Sequence, residues 1–243
     1  MDTRTGVAVR TASQVVAVSQ ACKDAVVATY GVDAARITVV HHGISGIFTP
    51  VSAASEEPEI AHEAGISGPY VLCVSTHEPR KNLDTLVRAF GTVLAEWPAS
   101  SALPSLVMVG RTTPYTAELR ALAAACSPPG QVQFVEGVSD TRLAALYRGA
   151  HAVAVPSTCE GFGFPLIEAL ASGSPVIASD LPVFRELVGD AAHYVPPLDQ
   201  SAWADSLLTT VMARSNSKTS IVERFTWARA AERTLEVLYR AAV

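Results

Sequence analysis

Short apolar stretches rich in β-branched residues alternate with longer segments of helical period from Tyr70 onward. In the longer segments, apolar residues recur three and four positions apart. This alternation predicts strands joined by helices, and therefore βα units on a parallel sheet. Because the apolar stretches do not alternate with polar residues, we expect helices to cover both faces of the sheet.

The pattern gives the following elements. Strands are predicted at 70–75, 105–110, 132–137, 152–156, 175–179 and 192–196, with helices between them at 82–97, 116–126, 139–150, 165–173 and 182–189. Ser139 can cap the third helix and Gly173 can end the fourth, while Pro165 and Pro182 suit first-turn positions. Six strands separated by five helices predict an α/β domain with a doubly wound parallel sheet.

Residues 1–50 precede this pattern and look like a fragment of another unit. They contain an apolar strand candidate at 14–19, a helix candidate at 20–31 that ends at a glycine, and a second strand candidate at 37–43. Three elements are too few to close a core of their own. They either extend the main sheet or belong to a second domain.

Two further segments flank the α/β pattern. Residues 51–68 are small, acidic and turn-forming, which indicates a linker or a surface excursion. Residues 224–243 predict a helix whose apolar stripe either packs into the core or docks onto another domain. The stripe consists of Trp227, Ala231, Leu235 and Leu238.

The composition and the charge argue against several classes of function. The chain has 243 residues, 49% of them hydrophobic and 17% charged, with a net charge of −5, so we expect a globular protein without the basic face of a nucleic-acid binder. No apolar run approaches the ~20 residues that span a bilayer, and no secretory leader is recognisable, which favours a cytoplasmic protein. The four cysteines form no CxxC pair, so we expect reduced thiols and no metal site.

Arg80 and Lys81 stand side by side before a helix that Asn82 could cap. Two cations at a helix start oppose the helix dipole, which favours anions there. A bound diphosphate would relieve this repulsion. A solvated pair of long side chains is the alternative.

The sequence CEGFGFPLIEALASG, beginning at Cys159, follows the fourth strand of the pattern. Its glycines permit close approach of a ligand, and the free N–H groups of Gly163, Phe164 and Leu166 would form an anion site at the helix start. Glu160 and Glu168 flank this loop, and a carboxylate accepts hydrogen bonds well from a vicinal diol. Hydroxyl-binding carboxylates around a phosphate cradle suit a sugar nucleotide, although such glutamates also occur at ordinary loop-to-helix junctions.

Other nucleotide and hydrolase signatures are absent. The chain has no GxGxxG after the first strand of the pattern, no GxxxxGK[ST] and no GxSxG. Dinucleotide-binding, P-loop and α/β-hydrolase sites therefore lack support.

EGFGFPLIEALASGSPVIAS, beginning at Glu160, resembles the E-x7-E motif of retaining glycosyltransferases of family 4, the group 1 type with the GT-B fold. EPRKNLDTLVRAF is similar to the first βα unit of their nucleotide-binding domain, particularly in mannosyltransferase-like members. LVMVG, VQFVEGVSDTRLAALYRGA and FTWARAAERTLEVLY follow in the expected order. The resemblance covers roughly residues 12–240.

The resemblance implies a domain plan. Residues 69–223 would be the Rossmann-like C-terminal domain of a GT-B fold, which binds the nucleotide-sugar donor. Residues 1–50 would be a remnant of the N-terminal acceptor domain, 51–68 a linker, and 224–243 the helix that crosses back to that domain.

The resemblance also implies site residues and ligands. Glu160 would contact hydroxyls of the donor sugar, Glu168 the ribose, and Lys81 with Arg80 the leaving diphosphate. The donor would be GDP-mannose or a UDP-sugar, with no metal or other cofactor. The remaining donor contacts implied are Gly161, Phe162, Gly163, Phe164, Pro165 and Leu166 around the phosphate, Gly137 and Val138 at the base, and Gly110 and Arg111 along the same cleft.

Two departures from the family pattern qualify these implications. Ser75 and Thr76 stand where many members carry Gly-Arg, so one phosphate-binding arginine is missing or replaced by Arg80. Most of the acceptor domain is also missing, so the chain is expected to need a separate N-terminal half or a homo-oligomer to act on its acceptor, which could be a glycan, a lipid-linked molecule or a small molecule. The alternatives are a non-catalytic, partner-completed nucleotide-sugar-binding module and a sugar-nucleotide epimerase.

Overall fold

The computed structural model describes residues 3–50, 66, 68–213 and 222–242. Most of the predicted linker, at 51–65 and 67, lies outside the described residues. The described elements confirm the alternating α/β pattern.

The N-terminal elements form a small unit beside the main sheet. Its elements are α1 (Thr3–Thr11), β1 (Val15–Ala17), α2 (Gln20–Tyr30), a 3-10 turn (Ala34–Arg36) and β2 (Ile37–Val39). Strands β1 and β2 pair in parallel as a separate sheet, so this unit does not extend the main sheet. Gly31 ends α2 in the left-handed conformation at φ 65°, as the sequence predicts.

Six parallel strands form the main sheet: β3 (Tyr70–Val74), β4 (Ser105–Val109), β5 (Val132–Val135), β6 (Ala152–Val155), β7 (Val176–Ser179) and β8 (His193–Val195). Their order across the sheet is β5-β4-β3-β6-β7-β8. This is the order of a doubly wound fold, in which the chain starts at the centre and winds outward in both directions. The predicted fold class is therefore confirmed.

Helices cover both faces of this sheet, as the apolar strands require. They are α3 (Leu83–Glu96), α4 (Tyr115–Cys126), α5 (Asp140–Gly149), α6 (Phe164–Ala171), α7 (Pro182–Val188) and α8 (Gln200–Ala213). Leu72 faces one core, together with side chains of α5, α6 and α7. Its neighbours Val71 and Cys73 face the opposite core, with α3, α4 and α8, because successive strand residues point to opposite faces.

Helices α1 and α8 have no counterpart in the sequence prediction. Apolar residues occur around much of α8, including exposed Met212, so the helix does not present one clean stripe. Tertiary packing selects the buried side, where Trp203, Leu207 and Val211 contact the core.

The C-terminal helix α9 (Trp227–Ala241) begins three residues after the start of the predicted helix at 224–243, and it follows a 3-10 turn (Val222–Arg224). Ala230 and Val237 pack it against Val40, and a Cβ on Gly43 would lie 2.1 Å from the backbone nitrogen of Trp227. The expectation that the predicted stripe packs into the core is wrong. Its large members are exposed: Trp227 by 55%, Leu235 by 52% and Leu238 by 58%.

Candidate functional site

The loops that follow β3 and β6 meet at the centre of the main sheet. The two strands are paired, with Val71 opposite Ala152, but the chain leaves them toward opposite edges of the sheet. Such a switch point opens a crevice at the carboxyl ends of the strands. Thr158 joins the two loops, because its N–H and its hydroxyl both donate to the carbonyl of Arg80, at 2.9 and 3.1 Å.

Asn82 holds the first of these loops in place. It occupies the predicted cap position of α3 with φ 54°, but its side chain makes no capping hydrogen bond, so that part of the prediction is wrong. Its amide nitrogen instead donates to the carbonyls of Pro156 at 3.0 Å and Pro197 at 2.7 Å. Asparagine suits this role because it tolerates the left-handed conformation and carries two amide donors.

Glu160 partners the cations that the sequence placed before α3. The Lys81 ammonium lies 2.5 Å from Oε1 of Glu160, and the Ser157 hydroxyl donates to the same oxygen at 2.9 Å. Arg80 lies 3.5 Å from Oε2 of Glu160 and 2.9 Å from Glu78. The alternative of a solvated pair therefore does not describe Arg80 and Lys81. The carboxylates also reduce the repulsion between these two cations and the positive end of the helix dipole, from which the sequence predicted an anionic ligand.

The glycine-rich loop ends where α6 begins. Gly163 adopts φ 108°, and a Cβ there would lie 2.7 Å from a ring carbon of Phe184, so this position requires glycine. The N–H of Leu166 donates to the carbonyl of Gly163 at 3.1 Å, so it is not one of the free donors that the sequence predicted. Among the described residues, no acceptor is bonded to the N–H groups of Gly163 and Phe164, which remain available to an anion.

Side-chain burial limits what this loop can offer a ligand. The side chains of Phe162 and Leu166 are buried, at 5% and 0% exposure, so they can contribute only their backbone groups. Phe162 packs edge-on against Phe164 and Phe225 at ring distances of 5.2 and 5.9 Å. Gly161 lies in the loop, and Pro165 occupies the first turn of α6, as the sequence predicts.

Glu168 lies just beyond the first turn of α6, where its Oε2 accepts a hydrogen bond from the Tyr147 hydroxyl at 3.0 Å. Burial raises the pKa of Glu168 to about 7, and the charge of Asp140 acts in the same direction. The hydrogen bond from Tyr147 opposes that rise. The sequence did not reveal Tyr147 as a site residue, because in α5 it has the spacing of an ordinary core side chain.

The loops after β4 and β5 extend the same edge of the sheet. They carry the four residues predicted at the nucleotide base and along the cleft, Gly110, Arg111, Gly137 and Val138. The carbonyl of Arg111 accepts a hydrogen bond from the N–H of His77, which fixes this loop to the one after β3. Topology thus brings all the predicted site residues to one edge of the sheet.

The N-terminal unit also contacts the glycine-rich loop, a relationship that the sequence did not predict. The Ser19 hydroxyl donates to the carbonyl of Gly161 at 2.7 Å. Glu186 on α7 accepts from the N–H groups of Gln20 and Ala21 at 2.7 and 3.2 Å, and lies 2.9 Å from His41. A carboxylate at the start of α2 is favoured by the helix dipole.

The described residues contain no group of three or more histidine, cysteine, aspartate or glutamate side chains that could hold a metal ion. None of the described helices has the length and apolar character needed to cross a bilayer.

Two family models match successive parts of the chain. The model for glycosyl transferases group 1 matches residues 56–223, and the model for glycosyltransferase family 4 matches residues 3–45. The first match covers most of the chain and contains every predicted site residue.

Individual relatives agree with this assignment. The chain is 32% identical to the O-antigen chain mannosyltransferase RfbU of Salmonella typhimurium over 199 residues, covering 82% of this chain and 51% of that protein. It is 33% identical to a D-inositol 3-phosphate glycosyltransferase of Nocardia farcinica, covering 85% of this chain and 48% of the relative. The chain therefore spans about half the length of these relatives.

A solved structure supports the fold. Anabaena Alr3699/HepE, crystallised with UDP and glucose, superimposes with a TM-score of 0.80 at 23% identity, covering 96% of this chain and 64% of that chain. At this identity the likeness concerns the fold.

Proposed function

The chain belongs to the glycosyl transferases group 1 family, and from that premise we propose that residues 69–223 bind the nucleotide-diphosphate sugar donor of a retaining hexosyltransferase. One observation supports this proposal most directly. The Lys81–Glu160 ion pair and the free N–H groups of Gly163 and Phe164 lie on the loops at the switch point of the sheet. This arrangement offers positive charge for a diphosphate beside a carboxylate for sugar hydroxyls.

In the proposed complex, Lys81 binds the diphosphate without leaving Glu160. An ammonium has three donors, and one hydrogen bond to Glu160 leaves others for phosphate oxygens. Arg80 is half-exposed and can turn toward the same anion. As the bond to the sugar breaks, these cations and the start of α6 stabilise the negative charge that develops on the leaving diphosphate. In this proposal Lys81, Arg80 and the N–H groups at the start of α6 are the donors to the diphosphate, and no metal ion is included.

The two glutamates then bind hydroxyls on either side of the diphosphate. Among the described side chains, Oε2 of Glu160 has only a long contact, 3.5 Å to Arg80, so it can accept hydrogen bonds from the donor sugar. Glu168 accepts from the ribose, and the backbone near Gly137 and Val138 contacts the base. Gly110 and Arg111 line the cleft between them.

GDP-mannose is the donor we propose first, because one relative is named a mannosyltransferase and the sequence EPRKN resembles that group. A UDP-sugar is the second choice, since the structural neighbour was crystallised with UDP. The acceptor class is open, and we expect it to bind chiefly to a unit that this chain scarcely contains. We place the protein in the cytoplasm, at the inner membrane face if its acceptor is lipid-linked.

Calorimetric titration with GDP, UDP and ADP, and with their sugar derivatives, tests donor binding. We expect one nucleotide series to bind and the others to bind at least tenfold more weakly. Absence of binding by all three series would overturn the proposal. We expect no complete transfer by this chain alone, so robust turnover of the isolated chain would contradict the proposed need for an acceptor unit.

A partner-completed binding module without its own catalysis is a second candidate, which the exposed apolar side chains of α9 favour. Trp227, Leu235 and Leu238 would lie in the interface with the completing polypeptide or a second copy. A solution mass equal to one chain at all concentrations would count against self-association. Product analysis with donor alone distinguishes the remaining alternative, an epimerase, because it would change the sugar without releasing the nucleotide.

A further inference from the structure

Tyr147 carries a buried hydroxyl that the proposed donor chemistry does not by itself use. The side chain has 0% exposure, and its hydroxyl donates to Oε2 of Glu168 at 3.0 Å. Within the described ranges, no protein donor is bonded to the other carboxylate oxygen, Oε1. The carboxylate therefore has one oxygen held by the protein and one available to a ligand.

The Tyr147 ring lies in the core on one face of the main sheet. Phe48 packs edge-on against it at a ring distance of 5.8 Å. The Ser174 hydroxyl donates to the Tyr147 carbonyl at 2.5 Å, which ties α5 to the loop that follows α6. Because a tyrosine has only two side-chain torsions, a packed ring fixes its hydroxyl in space.

We propose that Tyr147 is a positioning residue for the donor site: its hydroxyl holds Oε2 of Glu168 so that Oε1 is presented to a hydroxyl pair of the bound nucleotide. This inference rests on the proposed donor-binding function. A freely rotating carboxylate would lose rotational freedom on binding the ribose, whereas one already held by Tyr147 is preorganised. The effect belongs to donor affinity and not to the chemical step.

The hydrogen bond also favours the ionised carboxylate. A protonated carboxyl has lost part of its accepting capacity, so it binds two ribose hydroxyls less well. Burial raises the pKa of Glu168, the charge of Asp140 on α5 raises it further, and the Tyr147 hydrogen bond lowers it. Among the described residues, the buried Cys73 thiol on β3 also acts electrostatically on Tyr147 and raises the pKa of its hydroxyl.

The matched test compares two Tyr→Phe variants. Y147F removes the hydroxyl that contacts Glu168, while Y70F removes a buried hydroxyl that donates to the carbonyl of Leu146 on the same helix at 2.8 Å. GDP and UDP are titrated into each protein between pH 6 and pH 8.5. We expect Y147F to weaken nucleotide binding about five- to tenfold near pH 7, the scale of one lost hydrogen bond, and to move the pH midpoint of binding upward. Y70F should leave that midpoint unchanged.

A second measurement needs neither nucleotide nor a folded variant. In the unliganded wild-type protein, ¹³C NMR should show the Glu168 carboxyl and the Tyr147 ring carbon that bears the hydroxyl titrating with one shared midpoint. Independent midpoints would overturn the inference, as would a Y147F binding profile identical to that of Y70F. If the wild-type protein bound none of GDP, UDP and ADP, the proposed function would fail and this inference with it, whereas normal wild-type binding with an unaffected Y147F would remove only the role of Tyr147.

Discussion

The Lys81 ammonium lies 2.5 Å from Oε1 of Glu160, so one ion pair joins the loops that follow the two central strands. The residues are 79 positions apart, and both side chains are largely buried, at 11% and 9% exposure. A proposed phosphate-binding group and a proposed sugar-binding group are therefore in direct contact before any donor binds. This contact also satisfies charges that would be costly to bury alone.

Replacing Lys81 with methionine should weaken binding of GDP or UDP by about 30-fold or more, because one charge-assisted hydrogen bond to the diphosphate is worth roughly 2 kcal/mol or more. Calorimetry gives the dissociation constants. R88A is the control, because Arg88 is an exposed cation of α3 that lies outside the loop after β3. Unchanged affinity in K81M would contradict the assignment of Lys81 to the diphosphate.

The same variant should reduce the free energy of unfolding by roughly 1–3 kcal/mol, since it leaves the Glu160 carboxylate buried without its closest cation. Urea denaturation measures this loss. The double variant K81M/E160Q should regain much of the stability but none of the nucleotide affinity. Equal stability of K81M and the wild-type protein would show that Ser157 and Arg80 satisfy Glu160 without Lys81.

Alanine at Gly163 should destabilise the protein by roughly 1–3 kcal/mol, because φ 108° is unfavourable for an L side chain and the new Cβ would overlap Phe184. Urea denaturation measures the change. G46A is the matched control, as a Cβ there meets nothing within 4 Å. A loss in G163A no larger than in G46A would contradict the close packing described at the start of α6.

The stability of the E168Q variant, relative to the wild-type protein, should increase as pH rises. The folded pKa of Glu168 is about 7, above its ordinary value of 4.5, so the folded state binds the proton more tightly than the unfolded state. The resulting stabilisation is fully present below about pH 4.5 and is lost as pH rises through about 7. The difference in unfolding free energy between E168Q and wild type should therefore shift in favour of E168Q from pH 5 to pH 8. E96Q, at an exposed site, controls for the loss of one carboxylate, and an E168Q difference that tracks E96Q would contradict the raised pKa.

Removing the Glu186 carboxylate should loosen the N-terminal unit. E186A deprives the first N–H groups of α2 of their acceptor and His41 of its partner, which should reduce stability by about 1 kcal/mol, the usual effect of losing a helix cap. Hydrogen exchange at Gln20 and Ala21 reports the change directly. E232A on exposed α9 should leave those amides protected, and equal protection in E186A would show that Glu186 does not hold α2.

A charged substitution on the exposed side of α9 should leave the protein stable, whereas shortening a side chain on the buried side of the helix should destabilise it. L238K should change the free energy of unfolding by less than about 0.5 kcal/mol, because Leu238 is 58% exposed. V237A should reduce it by roughly 1–2 kcal/mol, since Val237 packs against Val40. A loss in L238K as large as in V237A would indicate that the apolar stripe is covered in solution.

The sequence by itself determined the α/β class, the six strands of the main sheet and the five helices between them, because apolar period and turn residues act locally. It also identified Lys81, Glu160 and Glu168 as candidates for one site, since the loops after parallel strands share an edge. Gly31, Ser139 and Pro182 mark helix ends where the sequence places them.

Only the tertiary structure decided which of these residues are in contact. Lys81 and Glu160, which form an ion pair, are 79 positions apart, and Tyr147 and Glu168, which share a hydrogen bond, are 21 apart. The two carbonyls to which the Asn82 amide donates are 74 and 115 positions away from it. Local propensity carries no information about such distant partners, because they form only when the sheet order brings their loops together. For the same reason the sequence left open whether the predicted stripe of α9 packs into the core or docks elsewhere. In the structure Val237, on another side of the helix, packs against Val40, and the large members of the stripe are exposed.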